Sequence, residues 1–213
     1  MTIDDLLKQS SILKELNTLA LSFYPVEGNL LYNHPLCSVD DPFNEAFFEK
    51  RHNLYQLSKD KKSIMEIGFN AGHSTLMMLI ANPTASYALF DLNYHPYTDP
   101  CFQLLKQTFP TMHIEYGDSS TTVPQFISSN PDAKYDLIHV DGSHELIFAE
   151  KDYENSKRLS TKNTIILFDD TTPGNHLDNF LREKVFQGEI ALVDRESLQL
   201  KQTSLQTIFR FMR

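Results

Sequence analysis

The stretch Ile64-Met-Glu-Ile-Gly-Phe-Asn-Ala-Gly-His-Ser-Thr75 reads as a short apolar strand, a glycine-bearing turn and the start of a helix. Glycine at such a turn lets backbone approach a ligand, because no Cβ intervenes. The helix that follows offers unpaired N–H groups in its first turn. Gly68, Asn70, Gly72 and Ser74 are therefore a candidate small-molecule cradle at the carboxyl end of a strand. Glu66 lies two residues before the first glycine, where an acid meets a cationic ligand group.

The glycine spacing separates two families of turn. A dinucleotide loop requires G-x-G-x-x-G. Here Phe69, Asn70 and Ala71 separate Gly68 from Gly72, so that loop is not matched. The pattern instead resembles motif I of the class I S-adenosylmethionine-dependent methyltransferases. A plain strand-to-helix turn, with glycines serving backbone geometry alone, accounts for this segment equally well.

Outward from this turn the chain alternates strand and helix. Strands are expected at Ile64–Ile67, Ser86–Asp91, Met112–Tyr116, Tyr135–Val140 and Thr164–Phe168. Helices are expected between them, at 74–81, 100–109, 121–129 and 145–159, and then at 175–187. This alternation implies an α/β fold with a doubly wound, mostly parallel sheet. Two last strands, at 189–194 and 204–211, follow without a helix between them and give an antiparallel hairpin edge. Leucines and isoleucines from Ile3 to Ala20 have helical spacing, and Asp41-Pro42 has the form of an N-cap and first helical position for a helix to about Ser58. The expected organisation is an N-terminal helical extension or lid over 1–60 and a Rossmann-like domain over 61–213.

Composition narrows the function classes. The 213 residues carry a formal charge of -9, so an acidic surface would repel nucleic acid. The two cysteines, Cys37 and Cys101, have no metal-binding spacing and imply no disulfide framework. No apolar run is long enough to span a bilayer, and the N-terminus has no signal-peptide pattern. A soluble cytoplasmic protein is expected, with no nucleic-acid or membrane partner.

In a doubly wound sheet, ligands bind outside the carboxyl ends of the strands. Each of the five parallel strands delivers an acid there: Glu66, Asp91, Asp118 of Gly-Asp-Ser119, Asp141 of Asp-Gly-Ser-His144, and Asp169-Asp170. Helix caps and Asx-turns explain one or two such acids, notably Asp118 and Asp141. Five on one rim need another reason, since like charges repel. The stretch from Ile64 to Thr172 resembles a class I methyltransferase, within the metal-dependent catechol O-methyltransferase-like and methyltransferase-24-like groups. The resemblance implies that Asp91 holds both ribose hydroxyls, that Asp118 with Ser119 meets the adenine, and that Glu66 and the glycine turn lie beside the methionine moiety. A vicinal diol suits one carboxylate, and a sulfonium is tolerated beside acids.

In that fold the fourth and fifth strands are neighbours, which brings Asp141 near Asp169 and Asp170. The metal-dependent relatives place a divalent cation there, and hard oxygen ligands suit Mg2+. Taken alone, Asp169-Asp170 reads as a surface turn. His144 departs from the lysine base of catechol-type relatives but matches the Asp-Gly-x-His of other relatives. It is open to three roles: general base, metal ligand or helix cap. His139, inside a strand, reads as a packed core histidine. His34, His95 and His176, with Tyr32, Tyr94 and Tyr97, fall on loops near the rim and have exposed-loop readings beside an acceptor-pocket role. The expected function is metal-assisted O-methylation of a small hydroxylated molecule, with S-adenosylmethionine as cofactor and Asp141 and His144 as catalytic residues. Two alternatives stand beside it: a nucleotide-dependent oxidoreductase, and a methyltransferase-like domain that only binds partners. The helical extension leaves a homodimer open.

Overall fold

The computed structural model describes residues 2–212. Seven strands form one mixed sheet in the order β3-β2-β1-β4-β5-β7-β6. They are β1 Ser63–Ile67, β2 Ser86–Asp91, β3 Met112–Tyr116, β4 Leu137–Val140, β5 Ile165–Asp169, β6 Ile190–Leu192 and β7 Gln206–Phe211. The first five pair in parallel, and β7 runs antiparallel between β5 and β6. The strand order reverses at β1, whose neighbours are β2 and β4. That is the switch point at which doubly wound sheets bind ligands.

Helices cover both faces. On one face lie α1 Ile3–Lys8, α2 Ser11–Leu21, α3 Phe48–Ser58, α4 His73–Ala81 and α5 Thr98–Thr108. On the other lie α6 Ser119–Ser129, α7 Leu146–Arg158 and α8 His176–Phe186. Side-chain alternation feeds both cores from each strand: Ile64 and Leu137 point to the first face, Met65 and Ile138 to the second. Helix α4 is buried from His73 through Leu79 and apolar on most sides, as a helix sandwiched between two layers must be. Among the described residues, no helix is long and apolar enough to cross a membrane.

The front segment departs from the expected outline in two places. The periodic run from Ile3 divides into α1 and α2, because Ser10 starts a second helix by capping Leu13 N–H. Asp41 does not cap the next helix. Its carboxylate instead accepts the Cys37 and Ser38 amides, and the helix begins with a single 3-10 turn at Glu45–Phe47, capped by Asn44. Arg51 ties this segment together. Fully buried, it pairs through two nitrogens with Asp4 at 2.8 and 2.6 Å and donates to the carbonyls of Leu30 and Asn44.

Candidate active site

The turn after β1 is shaped by the protein's own packing. Gly68 has φ +97°, and a Cβ there would lie 2.0 Å from the Asp141 carbonyl oxygen. Gly72 has φ +80°, and its Cβ would meet the Phe69 ring at 2.6 Å. Both glycines therefore let β1, β4 and α4 close together, and the ligand-approach argument is not needed to explain them. Asn70, with φ 53°, sends its side-chain amide to the carbonyls of Glu27 and Gly28, which fixes the front loop over the turn.

Outside the ends of β1, β2, β3 and β4 lies a cavity of about 410 Å3. Gly68, Asn70, Asp91, Asp118, Ser119 and Asp141 are among its lining residues, with Tyr94 and His95 at its mouth side. Ser74 lies beside it in a small adjoining space shared with Gly68, Asn70 and Asp141. The Asp91 carboxylate is fixed by two backbone amides, Asn70 N–H to Oδ2 and Asn93 N–H to Oδ1, both at 2.7 Å. A carboxylate oxygen has a second lone pair, so Asp91 keeps one acceptor site on each oxygen for a diol. Burial pushes its carboxyl up, against the two amides that stabilise its charge. Asp118 caps α6 by accepting Ser120 N–H at 2.8 Å, so it fills both roles considered for it: helix cap and cavity wall. A larger groove of about 840 Å3 lies under α8 and β6–β7. Its charged residues include the Asp178–Arg182 pair at 2.8 Å, and of the parallel strands it borders only the exit of β5, at Thr171 and Pro173.

The expectation for Glu66 needs correction. Its side chain is fully buried on the α3–α4 face and is not among the cavity lining. Register places it beside His139, its partner on β4. Glu66 Oε1 accepts from His139 Nδ1 at 2.8 Å, and Oε2 accepts from the Thr75 hydroxyl. Glu66 is thus an internal counterion, since a buried carboxylate without a partner would be costly. His139 is buried as expected, between the carboxylates of Glu66 and Asp169. Burial works against its proton, yet Asp169 and Glu66 outweigh that and raise it to about 10.

Asp141, Asp169 and Asp170 all reach the same rim, but a cation from the front segment is already there. Lys50 of α3 places Nζ 2.8 Å from Asp169 Oδ1 and 3.0 Å from Asp170 Oδ1. Both Lys50 and Asp169 are almost fully buried. Burial alone would push the ammonium down, but Asp169, Asp170 and Asp141 hold it above the ordinary lysine value. Among the described residues, the three aspartates do not converge as one ligand set. The converging groups are His139, Asp141 and Asp169, and Asp141, His144 and Asp170. The first holds two buried atoms with no hydrogen-bond partner, His139 Nε2 and Asp169 Oδ2, 3.9 Å apart. In both, a divalent ion would sit beside the ammonium that touches the same carboxylates, and buried like charges that close repel strongly. Among the described residues, the three-aspartate set expected for Mg2+ is not assembled, and Lys50 holds its Asp169–Asp170 side. Nothing local in the sequence marks Lys50, whose carboxylate partner Asp170 lies 120 positions away.

His144 stands at the edge of this cluster, half exposed, with Nε2 3.2 Å from Asp170 Oδ2 and 3.7 Å from Asp141 Oδ1. Asp141 is the main cause that raises its pKa above the ordinary histidine value. It does not cap α7, whose N-cap is Glu145. His95 stacks on Tyr97 with centroids 4.9 Å apart, beside the cavity. Tyr32 and His73 lie inside the fold instead, both bonded to Asn17 of α2.

The sequence model of a family described as a methyltransferase domain matches residues 65–171, just over half the chain. The chain belongs to this family. The match runs from β1 to the end of the Asp169-Asp170 turn, so it includes every strand end that lines the cavity of this methyltransferase. No curated protein sequence matches it significantly. Solved structures share its fold at low identity. An O-methyltransferase from Bacillus cereus in complex with S-adenosylhomocysteine has a TM-score of 0.67 at 14% identity, covering 96% of this chain and 92% of its own. The O-methyltransferase TomG from Streptomyces achromogenes, in complex with S-adenosylmethionine, has a TM-score of 0.66 at 14% identity, covering 96% and 91%. The TDP-rhamnose 3'-O-methyltransferase CalS11 of calicheamicin biosynthesis has a TM-score of 0.58 at 21% identity, covering 98% and 90%.

Proposed function

We propose that this methyltransferase moves a methyl group from S-adenosylmethionine to a hydroxyl oxygen of a small molecule. The observation that supports this most is the cavity over the switch point, walled by Asp91 and Asp118 on successive strand ends. Its volume suits a small-molecule site. The neighbours that share the fold are described as O-methyltransferases, two of them with this cofactor or its product, which favours oxygen as the acceptor atom. Asp91, with its carboxylate already fixed by Asn70 and Asn93, would take the ribose hydroxyls. Asp118 and Ser119 would meet the adenine, and Gly68, Asn70 and Ser74 the remainder; Gly72, expected to join them, packs on Phe69 and lines neither space.

S-adenosylmethionine would supply the methyl group on a sulfonium, and the protein's task is then to align the acceptor oxygen and remove its proton. His144 would take that proton, with Asp141 and Asp170 orienting the ring and stabilising the imidazolium that forms. The divalent cation stays outside this proposal, because the Lys50 ammonium already bridges Asp169 and Asp170.

Calorimetric titration with S-adenosylhomocysteine, S-adenosylmethionine and NAD tests the reading. The first two should bind and NAD should not. Asp91→Ala should weaken S-adenosylhomocysteine by roughly 1.5–3 kcal/mol, the range for hydrogen bonds to a charged group. Tight NAD binding with no response to S-adenosylhomocysteine would favour an oxidoreductase. His144→Ala should lower turnover by roughly 10^2–10^4-fold. In wild type the rate should rise with pH through a point above the ordinary histidine value, since the raised pKa keeps the base protonated longer. That limb should vanish in the variant; its persistence would remove His144 from the base role.

A further inference from the structure

We infer that Lys50 is the resident cation of the β4–β5 rim and stands in place of a divalent metal. The inference rests on the proposed reading of this rim as the acceptor side of the site. Three observations carry it. The ammonium is within hydrogen-bond distance of both carboxylates of the Asp169-Asp170 pair, one of which is wholly buried. Asp170 holds a left-handed backbone, φ 53°, which turns its side chain back toward Lys50 and His144. Lys50 itself is held from behind by the Phe47 ring, 5.3 Å from Nζ, on a helix locked to α1 by the Arg51–Asp4 pair. A lysine so placed is a fixed monovalent charge, which a metal ion could replace only by taking the ammonium off both carboxylates.

The neighbouring groups are consistent with a rim that supplies its own positive charge. Glu66 and Asp169 flank His139, while Asp141 and Asp170 flank His144. Lys50 adds one positive charge, shared by Asp169 and Asp170. Lys50 is thus a positioning residue. It fixes the two carboxylates, one of which orients His144, and it couples the front helices to the acceptor side of the sheet.

The test is a manganese titration of the full chain, followed by electron paramagnetic resonance of free Mn2+, with no cofactor or acceptor present. Wild type should leave the Mn2+ signal unchanged at roughly micromolar to submillimolar levels, where assembled all-oxygen sites bind. Lys50→Met, which keeps the length of the stem and removes the charge, should bind Mn2+ about tenfold tighter or more. Adding Asp169→Asn to that variant should abolish the gain. The circular dichroism spectrum reports whether each variant is folded, and S-adenosylhomocysteine binding, read separately, whether the cofactor proposal holds, so the two readings fail independently. Mn2+ affinity in wild type equal to or above that of Lys50→Met would overturn the inference. Should the variant not fold, micromolar Mn2+ binding by wild type alone would overturn it, and silence of wild type across that range would support it.

Discussion

Asp152 of α7 is fully buried, and no group makes a well-formed hydrogen bond to either of its carboxylate oxygens. It lies under the cavity floor: a Cβ on Gly142 would come 3.3 Å from its Oδ2. Burial pushes its carboxyl from the ordinary 3.8 up to about 6, against the pull of Ser119 and with the help of Asp118. A raised carboxyl pKa means that the folded chain holds a proton which the unfolded chain has already released. Stability from this group is therefore present at low pH and falls as pH rises from about 4 through about 6. Asp152→Asn, equal in size and always neutral, should be more stable than wild type at about pH 8, by up to about 3 kcal/mol. The gap should close near pH 4. Scanning calorimetry at both pH values checks this, and an equal gap at the two would refute it. The same residue shows one limit of reading the sequence. Acids at five strand ends were visible, and Asp91, Asp118 and Asp141 do wall the cavity. Glu66 and Asp169 face inward to His139 and Lys50 instead, and no local pattern announces a partner that comes from another strand or helix.

The unit formed by β1, its turn and α4 was legible because its signals are local. Apolar run, positive-φ glycines and helix start follow one another within a dozen residues, and the strands at Ser86–Asp91 and Met112–Tyr116 fall where the alternation places them. The reason for its first glycine was not legible, since the atom it makes room for belongs to β4's exit loop. Gly68→Ala should therefore act on the fold before it acts on any ligand. The variant would need an L-residue at φ +97° and a Cβ 2.0 Å from a carbonyl oxygen. Backbone must move, and the expected loss is about 3 kcal/mol or more. Urea denaturation reads it directly. A variant as stable as wild type that only binds S-adenosylhomocysteine more weakly would return the glycine to a ligand-approach role. In the front segment, by contrast, helical periodicity ran through Gln9 and Ser10 without showing the break, because a serine cap costs the hydrophobic pattern nothing.

At the scale of the whole molecule, the α/β alternation and the closing antiparallel pair were readable from the strand signals, while the place of the last strand in the sheet was not. β7 enters between β5 and β6, so the strand formed last in sequence lies inside the sheet and the one before it forms the edge. This order matters while the chain is being made. On the ribosome, β5 and β6 both wait for residues 206–211 to leave the exit tunnel. Until then the backbone groups on the open side of β5 have no partner, and a strand edge of that kind invites pairing with other chains. Phe209 and Phe211, which pack on Tyr153, are also missing from the core at that stage. A chain cut short just before Gln206 would thus keep its sheet open at β5, with an unpaired edge ready to pair with other chains.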